Sequence, residues 1–111
     1  MSDATLIDGF IAWGAELAAA TRSSSLSINV EICAPTANPA AKIDIESSEL
    51  LARITIWSDG NFHAEAIDAS TSATVLSRHG LATARTTFDE DFNDILNLFA
   101  IIRPSRADDR L

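Results

Sequence analysis

The chain has 111 residues, 47% of them hydrophobic, which is enough for one domain with one core and excludes a disordered chain. Lys and Arg number 8 against 16 Asp and Glu, a net charge of −8, which argues against a nucleic-acid backbone as partner; it suits a basic one and is equally the ordinary charge of a soluble cytosolic protein. The lone cysteine, Cys33, excludes an internal disulfide and a Cys-rich zinc site; in an apolar strand it reads as a buried, inert thiol.

The N-terminal stretch lacks the basic start and continuous apolar run of a secretory signal. No segment approaches the ~18 apolar residues that span a bilayer. The expected compartment is the cytoplasm, with no membrane contact. Acidic residues are scattered, and only Asp89-Glu90-Asp91 forms a cluster.

Ser2 or Asp3 can cap a first helix running to about Arg22. Leu6, Phe10, Trp13 and Leu17 recur at helical spacing and give one apolar stripe, widened by Ile7, Ile11 and the alanines Ala18 to Ala20. Gly9 and Gly14 cost helix propensity and fit a close approach to a sheet. Trp13 reads as core. Ser23-Ser24-Ser25 ends the helix.

Leu26, Ile28, Val30 and Ile32 then alternate with polar residues, the pattern of a half-buried strand. Pro35 to Pro39 is a loop or edge, because proline cannot donate to a ladder. Ala41, Ile43 and Ile45 alternate with Lys42, Asp44 and Glu46 as a second strand, and Glu46-Ser47-Ser48-Glu49 turns into the next.

Arg53 to Ile67 reads as a β-hairpin turning at Asp59-Gly60. A two-residue loop would oppose Ile54 to Glu65 and Ile56 to His63. A three-residue loop, Ser58-Asp59-Gly60, instead opposes Ile56 to Phe62, Ile54 to Ala64 and Ala52 to Ala66, with Arg53 meeting Glu65 and Thr55 meeting His63. That register is preferred, because a one-residue slip turns every side chain to the wrong face. It places Arg53, Thr55, Trp57, His63, Glu65 and Ile67 on the face away from the core. An exposed Trp beside Arg, His and Glu has the composition of a contact patch. The competing reading is that Trp57 covers the sheet end or packs under the chain terminus.

Asp68 to Ser72 is a polar turn, and Ala73 to Arg78 a further strand whose register stays open, since Val75 and Leu76 point to opposite faces. Gly80 to Thr86 reads as a loop. Thr87 and Glu90 form a capping box, and Asp89 and Asp91 suit the positive end of the helix that follows. Phe92, Ile95, Leu96, Phe99 and Ile102 make its apolar stripe, Pro104 marks its end, and residues 104–111 are a charged tail.

The economical architecture is α+β: an antiparallel meander of about five strands with an N-terminal and a C-terminal helix packed on one face, in a single domain over residues 1–111 with an ordered core at about 3–103. Chemistry is weakly supported. His63, His79 and Glu65 match no metal-ligand spacing, and solvated strand histidines are the simpler reading. Ser58, Asp59 and His63 sit on one hairpin, without a nucleophile elbow or separate oxyanion segment. Neither a metal, a cofactor nor an enzymatic activity is expected.

The N-terminal amphipathic helix, the stretch Ile43-Asp44-Ile45-Glu46-Ser47, the strand Arg53-Ile54-Thr55-Ile56-Trp57 closed by a turn ending in Gly60, the strand ending Ile67-Asp68 and the last amphipathic helix together resemble the TriTu family of bacterial immunity proteins, found in polymorphic-toxin loci. The resemblance covers about residues 6 to 102. Around Ser77-Arg78-His79 the chain departs from the family pattern. The resemblance implies a non-enzymatic inhibitor that binds a cognate toxin and blocks its active site or substrate access. A monomer or weak homodimer is expected. On this reading Trp57, Arg53, His63 and Glu65 form the partner-binding patch. A secretion chaperone or adaptor and a homo-oligomeric structural module are the alternatives.

Overall fold

The computed structural model describes residues 3–21, 25–33, 39–83 and 87–101. Helix α1 spans Asp3–Thr21, followed by strands β1 Ser27–Ile32, β2 Ala40–Glu46, β3 Leu50–Trp57, β4 Asn61–Asp68 and β5 Thr74–Leu81, and by the short helices α2 Phe88–Asp91 and α3 Asn93–Leu98. The five strands form one antiparallel sheet in the order β1-β2-β3-β4-β5, the expected meander. Expectations about Ser2, Arg22, Pro35, Ile102, Pro104 and the tail fall outside the described residues.

One face of the sheet is core. Alternation sends Ile43, Ile45, Ile54, Ile56, Phe62, Ala64 and Ala66 inward, and each is buried. Helix α1 lies over β1, β2 and β3, and α3 over β4, so all the helices cover the same face. Phe10, Trp13 and Leu17 of α1 and Phe92, Ile95 and Leu96 of the C-terminal segment close the cluster. Gly14 permits this approach: a Cβ there would lie 2.7 Å from Val30 Cγ2 and 2.8 Å from Ile43 Cδ1. Gly9 meets nothing nearer than Phe88 at 3.8 Å, so close approach does not explain it.

The central hairpin has the three-residue loop. Ile56 opposes Phe62, Ile54 opposes Ala64, and Arg53 opposes Glu65. Gly60 donates to the Trp57 carbonyl at 2.8 Å and has φ +96, the left-handed conformation that glycine adopts without penalty.

Three expectations need correction. First, β5 continues to Leu81, so Gly80 and Leu81 are strand rather than loop. Gly80 lies opposite Phe62, whose ring occupies the space where a Cβ would stand. A bulge resolves the register: Ala66 pairs with Leu76 and Ile67 with Thr74, leaving Val75 as the extra, exposed residue.

Second, the last helix is two short helices. The chain breaks at Phe92 (φ −112, ψ 25), which is fully buried against Phe62 and Trp13. The second helix ends at Leu98, before Ala100 turns left-handed with φ 57 and brings Ile101 back into the core. Third, the capping box does not form. The Thr87 hydroxyl makes no cap bond; the backbone carbonyl of Thr87 accepts from Glu90 and Asp91, and Asp89 ties the turn to α1 instead.

Candidate functional site

The sheet face opposite the helices carries the predicted patch. Strand alternation and register arrange it in rows. One row runs Asn29, Asp44, Arg53, Glu65, Ser77, and the next Glu31, Lys42, Thr55, His63, His79. Glu46, Leu51, Ile67 and Thr74 form a third row toward one end of the sheet, while Trp57 lies toward the other. Trp57, Arg53, His63 and Glu65 therefore share one face. Trp57 is half-buried rather than exposed, and it opposes the buried Ala40.

Arg53 is held more firmly than the sequence implied, and by another partner. Its Nε donates to Asp44 Oδ1 at 2.6 Å and its Nη2 to Asp44 Oδ2 at 3.2 Å, a bidentate fork. This bond, with the attraction of Asp44, Glu65 and Glu31, raises the guanidinium pKa above its ordinary value. Arg53 thus gives its hydrogen bonds to Asp44, while Glu65, opposite it on β4, acts on it only through space. Lys42 pairs with Glu31 at 3.5 Å. Among the described residues neither Glu46 nor Glu65 takes part in an ion pair.

His63 and His79 stack directly across β4 and β5, with ring centroids 4.3 Å apart and planes 9° from parallel. His63 Nε2 lies 3.3 Å from Ser77 Oγ, so its side-chain partner is on β5 and not the hairpin serine, Ser58. Among the described residues no group of three or more His, Cys, Asp or Glu is placed to hold a metal ion. Between β2 and β4 the face dips into an open concavity of about 230 Å³, lined by Asp44, Glu46, Leu51, Ala52, Arg53, Glu65 and Ile67.

Sequence reasoning found the hairpin part of this face and missed Asp44, Glu46, Leu51 and Ser77. The signal for the first two was present: Lys42, Asp44 and Glu46 alternate with buried residues, and pairing β2 to β3 brings them beside Arg53. Leu51 lies at the start of β3, where an exposed leucine breaks the expected alternation.

The family model for immunity protein TriTu matches residues 8–98. The chain belongs to the TriTu immunity protein family. The match runs from α1 through all five strands to the end of α3, and so includes the whole open face. Comparison with curated proteins gives no match. No helix among the described residues is long and apolar enough to cross a membrane.

Proposed function

We propose that this TriTu protein binds a cognate bacterial toxin in the cytoplasm of the producing cell and neutralises it without catalysis, through the open face of the sheet. The family match over residues 8–98 carries the reading. The shape and chemistry of the face support its placement. The helices occupy the other side, and a five-stranded sheet offers the scale of surface that a stable complex covers, roughly 800 Å² per partner. Trp57 is a half-buried aromatic anchor, Arg53 a cation fixed by Asp44, and His63 and Glu65 are polar groups beside them. Anchors of this kind, held in place before binding, lose little side-chain freedom on complex formation.

The net charge of −8 steers a basic toxin toward the chain. The test is co-expression with the product of the adjoining gene. Growth is restored and the two proteins co-purify in equal amounts; Trp57→Ala weakens capture at least tenfold while leaving the fold intact. Unchanged capture by Trp57→Ala moves the interface elsewhere, and a harmless neighbour with no co-purification removes the immunity reading.

A further inference from the structure

The concavity between β2 and β4 has a composition that selects what can fill it. Leu51 and Ile67 are directly opposed on β3 and β4, and Leu51 remains 36% exposed. Around this apolar pair stand three carboxylates, Asp44, Glu46 and Glu65, and one guanidinium, Arg53. Asp44 and Arg53 satisfy each other through the bidentate bond. Glu46 and Glu65, which flank the apolar pair from β2 and β4, form no ion pair among the described residues; Glu65 feels Arg53 across the strands, but the guanidinium's hydrogen bonds go to Asp44.

We infer that this concavity receives a cationic side chain, arginine or lysine, projecting from the toxin. The inference rests on the immunity reading and adds the chemistry of the toxin's contact to it. A partner that covers the open face takes Glu46 and Glu65 out of water. An uncompensated carboxylate is costly to bury, so the covering surface has to bring donors to these two positions, and two neighbouring negative charges favour a cationic donor over a neutral one. An aliphatic or acidic side chain fails that condition. A long cationic side chain meets it and also uses the floor: its methylene stem lies over Leu51 and Ile67, and its head reaches the carboxylates. Arg53 opposes the guest less than a free cation would, because Asp44 holds its guanidinium by two hydrogen bonds and the concavity carries three carboxylates against this one cation. The pair Asp44–Arg53 instead forms a fixed wall that directs the incoming head group toward Glu46 and Glu65.

The experiment measures the affinity of the purified product of the adjoining gene for four forms of the protein: wild type, Glu46→Gln, Glu65→Gln and the double variant. Glu90→Gln, exposed on the helical side, serves as the control. Each Gln variant keeps the shape of the side chain, and matching melting curves show that the fold is retained. The double variant binds at least tenfold more weakly, its affinity falls less steeply with salt than that of wild type, and Glu90→Gln binds as wild type does. A Lys or Arg to Glu substitution in the toxin that weakens wild-type binding but costs the double variant much less identifies the guest. If the double variant binds as tightly as wild type, with an unchanged salt slope, the concavity has no cationic guest and the immunity reading stands without it. If wild type captures no toxin at all, both are overturned.

Discussion

The indole N–H of Trp13 donates a 2.7 Å hydrogen bond to Oδ1 of Asp89, joining residues 76 positions apart in the chain. Trp13 is buried among Phe10, Phe88 and Phe92, with ring centroids 5.5–6.1 Å away, so its nitrogen is the one polar atom of its side chain and needs a partner. The acidic residue that the sequence assigns to a helix dipole acts here as an acceptor that pins α2 onto α1. Asp89→Ala leaves the indole N–H unpaired at the core boundary and costs about 1.5–3 kcal/mol, as for hydrogen bonds to charged groups. Asp89→Asn retains an acceptor and loses less than half as much. Urea denaturation of the two variants beside wild type measures the difference.

Arg78 latches the C-terminal helices to β5. Its Nε donates to Asp94 Oδ2 at 2.7 Å and its Nη2 to Asp94 Oδ1 at 3.2 Å, with a further bond to the Asp91 carbonyl. The guanidinium also lies over the Phe62 and Phe92 rings, 5.4 and 5.6 Å from their centroids. The hydrogen bond from Arg78 holds the Asp94 carboxyl below its ordinary pKa. A carboxylate depressed in the folded state stabilises fully above its unfolded value, near about 3.9 for Asp, and that stabilisation fades as pH falls through the lower folded value. Thermal unfolding at descending pH therefore shows wild type more stable than Asp94→Asn at neutrality, with the gap closing in the acid range below about pH 4. The pair is partly exposed, so the gap is about 1 kcal/mol or less and shrinks in salt.

Gly80 and Phe62 explain why β5 runs further than its local pattern suggests. A glycine inside a strand pattern looks like a breaker, and its reason for being there is on another strand. The Phe62 ring lies over Gly80, where a Cβ would come within 2.5 Å of its Cζ. Gly80→Ala pushes the ring against Phe92, whose edge it meets at a 4.9 Å centroid distance. The expected loss is about 1–3 kcal/mol, the usual cost of overpacking a core. A chemical denaturation curve for Gly80→Ala checks it.

Local signals were enough for the sheet as far as β4. Alternation in β2, β3 and β4 and the Asp59-Gly60 turn determine which residues pair, and pairing alone puts Trp57, Arg53, His63 and Glu65 on one face. What escaped depends on contacts between distant segments. The Val75 bulge arises where β5 meets β4, the break at Phe92 from the demand of the core for its ring, and the Arg53–Asp44 fork from a strand pairing beyond the hairpin. The failed capping box is the same lesson in reverse: Thr87 and Glu90 have the right spacing, but a four-residue helix is held by Trp13 and the core rather than by its own cap.

The end of α3 offers a stabilising change. The Ile101 N–H bonds the Leu96 carbonyl at 2.9 Å and the Ala100 N–H bonds the Asn97 carbonyl at 3.1 Å, the two bonds of a Schellman motif. Ile101 and Leu96 are both buried, so the motif folds an apolar residue back onto the helix that it terminates. The residue required to be left-handed is Ala100, at φ 57, where a Cβ costs about 1–2 kcal/mol. Ala100 is exposed, so removing its methyl opens no cavity. Ala100→Gly relieves the strain and gives back part of the gain through the greater freedom of glycine in the unfolded chain. The net stabilisation is about 0.5–1 kcal/mol, which raises the melting temperature by roughly 2–6 °C for a domain of this size. Ala100→Val moves it the other way, because a β-branched residue is worse in that conformation. Calorimetry on the three proteins orders them Gly, Ala, Val; equal melting temperatures would show that the turn is not left-handed at Ala100 in solution.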